Sequence, residues 1–466
     1  MSERSISQIP RGCAYLWTHV VADFGKAQLR TCCKTQPFAV TAEDLARHGA
    51  QLLNNSPEIR QARREMMTTG QPKRCSVCLD LEQQNRPSHR SSQREYLEQL
   101  AKAYDRQGDV EGIDWATTIR ENLEPGTFGN FPDNLDIQLD NTCDLKCLYC
   151  SGEYSSSWAA EQKEFGPMPQ EPVRPRESAP SAELLDQFQS TLWSFLEATK
   201  MGYRRIAFLG GEPLLSPRFP AALEKLVAIY ADQAPRDLEI NIISNLNTPT
   251  LHFDRFLATL RSAPAHLRFN INVSMEAVEE RAEMIRYRVR FARFRENFRS
   301  LLALSASQPL GKIQVSTITT LNLFSLDQAP DYLRWVRERE IESKREVTLY
   351  FHIVSFPEWM ATDLAPAALA EHLDRAVEFL RTSGSERSPG GIENWRHYAE
   401  QLSQLARRVR QQTQPELLRE TRKLRLLRSA LHELQRRRQL DLLAQLPSDY
   451  DELRSALAAV SATEPS

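Results

Sequence analysis

The sequence predicts an α/β chain built around a parallel sheet. Six short runs rich in β-branched and apolar residues alternate with five helical stretches between residues 135 and 354. Such alternation is typical of parallel strands joined by right-handed crossover helices. A cysteine-rich segment precedes this region and a helical segment follows it, and 466 residues are enough for two or three domains.

The predicted elements define four parts of the chain. The strands are 135–139, 205–209, 238–243, 268–274, 312–319 and 347–354. The helices of the core are 182–200, 217–231, 251–261, 279–304 and 327–340. We therefore predict a cysteine-rich domain over residues 1–90, a helical connector over 91–130, an α/β core over 131–365 and a helical extension over 366–466.

Composition narrows the class of protein. With 41% hydrophobic and 26% charged residues, the chain resembles ordinary globular proteins. The formal net charge of -2 gives no indication of nucleic acid or of an anionic membrane as a partner. The N-terminus has no apolar signal region and no run of 18 apolar residues occurs, so we expect a cytoplasmic protein without a membrane span.

All eight cysteines lie in the first 150 residues, which indicates metal or redox chemistry rather than disulfides. Five of them precede the core: Cys13, Cys32, Cys33, Cys75 and Cys78. Four thiols would complete a closed iron–sulfur cluster or a zinc site. A helix predicted over 56–69, opened by Ser56 before Pro57, carries the chain toward the last two of them.

The other three cysteines form the motif C-x3-C-x2-C directly after the first core strand. Cys143, Cys147 and Cys150 stand on one short loop. Three thiolates can hold three irons of a cubane [4Fe–4S] cluster and leave the fourth iron open to another molecule. A zinc site or a disulfide is the alternative interpretation of this loop.

Gly210-Gly211-Glu212 follows the second strand, and with the cysteine loop it resembles the signature of the radical S-adenosylmethionine (SAM) superfamily. The resemblance implies a partial (β/α)6 TIM-like barrel, with the loop at the carboxyl ends of the strands, where β/α barrels place their chemistry. It also implies a [4Fe–4S] cluster with SAM at its open iron. Reductive cleavage of SAM then yields a 5′-deoxyadenosyl radical, which abstracts a hydrogen atom from the substrate.

The resemblance assigns roles to residues of the first three strand ends. Tyr149 would pack near the cluster and the adenine of SAM. Gly210, Gly211 and Glu212 would bind the methionyl amino group, because glycines let the backbone approach a ligand. Ser244 and Asn245 would contact ribose hydroxyls, or would simply terminate the third strand.

The fourth strand and its continuation add three further residues. Ser274 would lie near the sugar or the carboxylate of SAM, and Glu276 stands where similar enzymes carry aspartate. Arg286 would bind the SAM carboxylate, or is an ordinary charge on a helix face. A guanidinium suits the first role because its planar donors match a carboxylate bidentately.

The five N-terminal cysteines resemble an auxiliary-cluster module of the SPASM or twitch type. Such modules carry a cysteine, a glycine turn, a second cysteine and then a CxxC pair. Here these are Cys13, Gly25, either Cys32 or Cys33, and Cys75 with Cys78. The resemblance implies a second, auxiliary [4Fe–4S] cluster filled by four thiolates. The module usually follows the core, whereas here it precedes it.

Two further segments allow alternatives. Five prolines between residues 164 and 180 predict a surface connector or a lid over the substrate. Beyond Pro415, an amphipathic helix carries a heptad-like seam of Leu417, Leu424, Leu427, Leu431 and Leu434. This helix would pack on the core or form a dimer contact, and its basic faces would alternatively bind an acidic peptide or RNA.

Three functional hypotheses follow. The first is a radical SAM enzyme that crosslinks, epimerises or oxidises a peptide or protein side chain, with the basic helices docking an acidic leader peptide. The second is dehydrogenation or epimerisation of a sugar or aminocyclitol. The third is a non-catalytic iron–sulfur scaffold or redox sensor. Either enzyme would need a reductant such as flavodoxin or ferredoxin.

Overall fold

The computed structural model describes residues 13, 15–83, 88, 90–91, 134–170, 179–384 and 387–460. Its strands are β1 (His19–Asp23), β2 (Gln28–Arg30), β3 (Phe38–Ala39), β4 (Asn134–Gln138), β5 (Arg205–Leu209), β6 (Glu239–Ser244), β7 (Arg268–Ser274), β8 (Ile313–Leu321) and β9 (Val347–Ile353). They form one sheet in the order β3-β2-β1-β4-β5-β6-β7-β8-β9. Neighbours β1–β4, β4–β5, β7–β8 and β8–β9 are parallel. The predicted α/β class with a parallel sheet, consistent with a partial TIM-like barrel, is confirmed.

The α-helices of the described residues are α1 (Tyr15–Thr18), α2 (Ala42–His48), α3 (Leu52–Asn55), α4 (Pro57–Thr68), α5 (Ser76–Gln83), α6 (Ser156–Phe165), α7 (Ala182–Thr199), α8 (Phe219–Ile229), α9 (Thr250–Ser262), α10 (Glu279–Ile285), α11 (Phe291–Ser307), α12 (Ala329–Ser343), α13 (Leu369–Ser383), α14 (Pro389–Arg410), α15 (Gln414–Arg419), α16 (Thr421–Arg438) and α17 (Asp451–Ala459). None of these helices is long and apolar enough to cross a membrane.

The six strands predicted for the core are β4 to β9, and their ends agree with the prediction within two residues. The boundaries could be predicted because the residues of these strands are mostly apolar and buried. Ile206, Ala207 and Phe208 of β5 are fully buried, as expected for a strand that is covered on both faces. The N-terminus of α4 is also as predicted, because the Ser56 hydroxyl accepts a hydrogen bond from the Ile59 N–H.

The chain divides into two compact units. The first comprises residues 1–140, 177–209 and 225–240, and the second comprises residues 141–176, 210–224 and 241–466. The four-part division proposed from the sequence stays a prediction, and its connector falls largely on residues 92–133, which lie outside the described residues. Residues 171–178 of the proline-rich insert also lie outside them.

The first unit contains three strands that the sequence did not reveal. β1 pairs in parallel with β4, and β2 and β3 extend the sheet in antiparallel fashion. The Asp136 carboxylate of β4 lies 3.0 Å from His19 Nε2 and 2.6 Å from Arg205 Nη1. The cysteine-rich segment is therefore part of the same sheet as the first core strand.

The prediction of one helix over 279–304 was wrong. The structure interrupts it between α10 and α11, where Arg288 has a φ of 81°. The carbonyls of Ile285 and Tyr287 accept hydrogen bonds from the cysteine loop at 2.9 and 3.0 Å. The break therefore presents backbone acceptors that a continuous helix would use internally.

The leucine seam of the C-terminal extension is divided between two helices, α15 and α16. Leu417, Leu424, Leu427 and Leu434 are fully buried, whereas Leu431 is only half-buried. Ala430 is buried in its place. The seam thus packs inside the second unit, which agrees with the prediction that the helix packs on the core.

Candidate active site

The cysteine loop lies against the break between α10 and α11. Cys147 is buried, and Cys143 and Cys150 are half-buried. Burial raises the pKa of Cys147 to about 12 and that of Cys143 well above its ordinary value. A buried thiol therefore becomes a thiolate only beside a compensating positive charge such as iron. The loop offers a donor set of three thiols, which fits a cluster with one open iron.

The start of α6 supports this loop, a contact that was not predicted from the sequence. The Ser155 hydroxyl donates to the Leu145 carbonyl at 2.7 Å while accepting from the Trp158 N–H at 3.2 Å. The Trp158 indole N–H donates to the Cys147 carbonyl at 2.8 Å. The serine run before Trp158 is a helix N-cap signal that could have identified this support.

The Gly210-Gly211-Glu212 turn lies directly against the beginning of the loop. A Cβ on Gly211 would come within 2.3 Å of the Thr142 carbonyl oxygen, so the approach requires glycine. The Glu212 N–H donates to the same carbonyl at 2.7 Å. Gly210 has a φ of 138°, which also favours glycine. The two motifs that carry the family resemblance thus meet through their backbones.

The Glu212 carboxylate is satisfied within the protein. It accepts hydrogen bonds from the Ser244 hydroxyl at 2.8 Å, the Asn245 N–H at 2.6 Å and the Leu214 N–H at 3.1 Å. The residue is 1% exposed. Glu212 and Ser244 therefore tie the turn to the end of β6, and Gly210 and Gly211 are the half-exposed part of the turn.

Glu212 is expected to make stability depend on pH. Burial raises the pKa of Glu212 from its ordinary 4.5 to about 7, although its three hydrogen bonds act in the opposite direction. Between these values the folded protein carries a proton that the unfolded chain lacks. Stability therefore falls as the pH rises through this window, by up to about 3 kcal/mol, and levels off above it. Urea unfolding of the apoprotein at pH 5 to 8 should show a shallower decline in Glu212→Gln than in the exposed control Glu224→Gln.

Asn245 and Asn247, which follow β6, contact the first residues of the cysteine loop. The Asn245 amide lies 3.9 Å from Cys143 Sγ. The Asn247 amide donates to the Asp144 carboxylate at 2.6 Å, and its carbonyl oxygen accepts from the Arg290 N–H at 2.9 Å. Asn247 was not among the predicted residues, yet it links the loop to the segment that precedes α11.

Tyr149, Glu276 and Arg286 form a buried triad. Arg286 donates to the Glu276 carboxylate through Nε at 3.0 Å and Nη2 at 2.7 Å, and the Tyr149 hydroxyl donates to the same oxygen at 3.0 Å. Burial raises the pKa of Glu276. Burial acts to lower the pKa of Arg286, but Glu276, Tyr149 and Cys147 together raise it above its ordinary value, so the guanidinium stays charged. Ser274, at the end of β7, is half-buried and is not part of this triad.

The N-terminal cysteines belong to the first unit. Burial raises the pKa of Cys13 to about 12, and Cys32, Cys75 and Cys78 are close enough to raise it further. Cys33 is exposed, whereas Cys32 is buried. Across the described ranges, no group of three or more His, Cys, Asp or Glu side chains is placed so that it could hold a single metal ion. A multi-iron cluster differs from such a site because its ligands bind separate iron atoms.

Comparison with known proteins agrees with this geometry. The Radical SAM superfamily profile matches residues 137–336. A GTP 3',8-cyclase of Streptomyces coelicolor is 24% identical over 216 residues, which are 46% of this chain and 53% of the relative. A GTP 3',8-cyclase of Mycobacterium marinum is 30% identical over 118 residues, 25% of this chain and 26% of the relative.

The chain thus spans about half, or less, of the length of the curated relatives it matches. The matched region contains the cysteine loop, the Gly-Gly-Glu turn and the buried triad. Residues 137–336 therefore form a radical SAM domain.

Proposed function

We propose that the chain binds a [4Fe–4S] cluster through Cys143, Cys147 and Cys150 and cleaves SAM reductively. The observation that carries the proposal is a loop of three thiols whose first residues meet the Gly210-Gly211-Glu212 turn through the backbone. When bound, the cluster supplies the electron that splits SAM into methionine and a 5′-deoxyadenosyl radical. A reductant such as flavodoxin or ferredoxin would deliver that electron.

The protein's own groups hold the loop and the SAM-binding surface in place. Backbone hydrogen bonds from Lys146 and Leu148 fix the loop on the α10–α11 break. Because the Glu212 carboxylate is occupied, we assign the methionyl ammonium to the backbone carbonyls of Gly210 and Gly211. Their lack of side chains allows this approach.

Arg286 is likewise committed to Glu276. We therefore propose that it positions Tyr149 and the loop, and that it reaches the SAM carboxylate only by sharing its guanidinium. The Asn245 amide, which directly follows β6 and lies 3.9 Å from Cys143 Sγ, is the polar group that we assign to SAM at this strand end.

We propose a small polar molecule as the substrate, rather than the peptide favoured by the sequence. The basic residues of the last helices were expected to dock an acidic leader peptide. Arg438 is instead buried on Glu161, and Lys423 pairs with Asp363 at 2.8 Å. The relatives named above act, by their names, on GTP.

The ends of β8 and β9 support this substrate class. Thr320 and His352 are directly paired in register, with Tyr350 two residues before His352 on the same face. Thr320 and Tyr350 are half-exposed and His352 is exposed. Such side chains suit the hydroxyl groups of a sugar, an aminocyclitol or a nucleoside better than an apolar group.

The test is anaerobic reconstitution of the full chain with iron and sulfide, followed by SAM and dithionite. We expect 5′-deoxyadenosine, formed faster when a polar small molecule is present. GTP, a mixture of sugars and aminocyclitols, and a peptide mixture would be the three probes. Stimulation by peptides alone would overturn the substrate class, and absence of 5′-deoxyadenosine in every reaction would overturn the proposed chemistry.

A second cluster is proposed for Cys13, Cys32, Cys75 and Cys78. The support is their proximity in the first unit: Cys32, Cys75 and Cys78 lie close enough to Cys13 to raise its pKa. Cys33 would stand outside this set, because its side chain is exposed. Four thiolates would leave no open iron, so this cluster would transfer electrons rather than bind substrate.

The adjacent cysteines provide a matched test of this cluster. Cys32→Ala is expected to lower the iron content from about eight to about four per chain. Cys33→Ala should retain about eight, because its thiol lies outside the set. Iron and sulfide analysis of the two reconstituted variants decides between them. Equal iron loss in both variants, or zinc in place of iron, would contradict the assignment.

A further inference from the structure

Arg438, the last residue of α16, is buried although it ends a run of three arginines. Its side chain is fully enclosed. The guanidinium donates to the Glu161 carboxylate at 3.0 to 3.2 Å and to the Lys146 carbonyl at 3.0 Å. Its centre lies 4.3 Å from the Trp158 ring. A charge so completely withdrawn from water needs such a set of partners.

Each of these partners belongs to the cysteine loop or to its support. The Lys146 carbonyl lies immediately before Cys147 in the chain. The Lys146 ammonium pairs with the same Glu161 carboxylate. Trp158, on whose ring the guanidinium lies, donates its indole N–H to the Cys147 carbonyl. Two consecutive carbonyls of the loop are therefore fixed by one network.

The other basic residues near this end of α16 behave differently. Arg436 pairs with Glu433 on its own helix, and its side chain is 45% exposed. Arg437 donates to the carbonyls of Gly166 and Pro167, beyond the end of α6. Among these three arginines, Arg438 is the one whose guanidinium donates a hydrogen bond to the cysteine loop.

We propose that Arg438 is a positioning residue for the radical SAM cluster, and that the C-terminal helical extension is thereby an integral part of that site. Arg438 holds the segment between Cys143 and Cys147 in the conformation that aims both thiols at one cluster. The inference rests on the proposed function. It goes beyond it, because residues 137–336 alone would not predict that a helix ending at residue 438 controls the loop.

A merely structural anchor would act differently from a positioning residue. Loss of an anchor would lower the unfolding midpoint and leave the properties of the assembled cluster unchanged. Loss of a positioning residue would change the cluster itself, because groups that orient metal ligands typically alter metal affinity by roughly 10- to 100-fold. Iron retention and the electron paramagnetic resonance (EPR) spectrum of the cluster therefore separate the two roles.

The experiment compares full-length Arg438→Met and Arg438→Lys with the control Arg436→Met after anaerobic reconstitution. The rate of iron loss to a ferrous chelator, the EPR spectrum of the dithionite-reduced protein with and without SAM, and the unfolding midpoint are measured for each. We expect Arg438→Met to lose about four irons roughly tenfold faster than wild type and to show a weakened SAM-dependent spectral change. Arg436→Met should match wild type.

Arg438→Lys keeps the charge but loses the planar fork of donors. Its rate of iron loss and its spectral response to SAM should therefore lie between those of Arg438→Met and Arg436→Met. It also serves as the test variant if Arg438→Met does not fold. Wild-type iron retention and a wild-type SAM-dependent spectrum in Arg438→Lys and in any folded Arg438→Met would overturn the inference. A wild-type protein whose spectrum does not respond to SAM would instead overturn the proposed function.

Discussion

Replacing Cys147 with alanine is expected to abolish formation of 5′-deoxyadenosine from SAM and to remove about four irons per chain. Cys147 is the buried member of the three-thiol loop. Its carbonyl is fixed by Trp158 and its neighbours Lys146 and Leu148 are bonded to the α10–α11 break. Chromatography of the reaction mixture and iron analysis measure both effects.

Cys33→Ala is the matched control for this prediction, because its thiol is exposed and lies in the other unit. It should retain both iron and SAM cleavage. If Cys147→Ala were to form 5′-deoxyadenosine at the rate of the control, the assignment of the loop as the cluster site would be wrong.

Removing the Glu276 carboxylate is expected to lower the free energy of unfolding much more than removing an exposed carboxylate. In Glu276→Met the Arg286 guanidinium remains buried without its partner, which typically costs about 3–5 kcal/mol. The side chains of Glu276 and Arg286 are 0% and 5% exposed, so water would not readily replace the lost contact. The free energy of unfolding of the apoprotein, from urea titration, measures the effect.

The double variant Glu276→Met/Arg286→Met should recover most of this loss, because both buried charges are then absent. An exposed ion pair gives the comparison: Glu224 and Arg255 are 54% and 60% exposed. Glu224→Met should cost less than about 1 kcal/mol. A double variant no more stable than Glu276→Met would show that the triad is not held together by this ion pair.

Local patterns were sufficient for the core strands and for the helix cap at Ser56. Runs such as Arg205–Leu209 are apolar and bounded by turn residues, and the boundaries followed from composition alone. The same approach missed β1, although its five residues are all buried, because a short strand beside cysteines carries little periodicity. It also predicted helix through residues 286–290, because propensity does not reveal that the cysteine loop needs two carbonyls there.

The site shows a similar division. Three thiols on one loop follow from their spacing, because a chain segment of eight residues cannot carry them far apart. The partners of Glu212 and Arg286 did not follow from the motif. Glu212 was expected to face SAM, and Arg286 to face SAM or to be an ordinary helix-face charge, yet both are occupied by protein groups. Burial decides this, since an enclosed charge must find its counter-charge or hydrogen bonds inside the fold.

The cysteine spacing, the glycine turn and the alternation of strands with helices are local properties of the chain, and they were enough to predict an α/β core that resembles radical SAM proteins. Only the tertiary structure distinguished buried Cys32 from exposed Cys33, and only it placed Arg438 beside Glu161, 277 residues away in the chain. Such pairings depend on the packing of distant elements, which residue spacing along the chain does not encode.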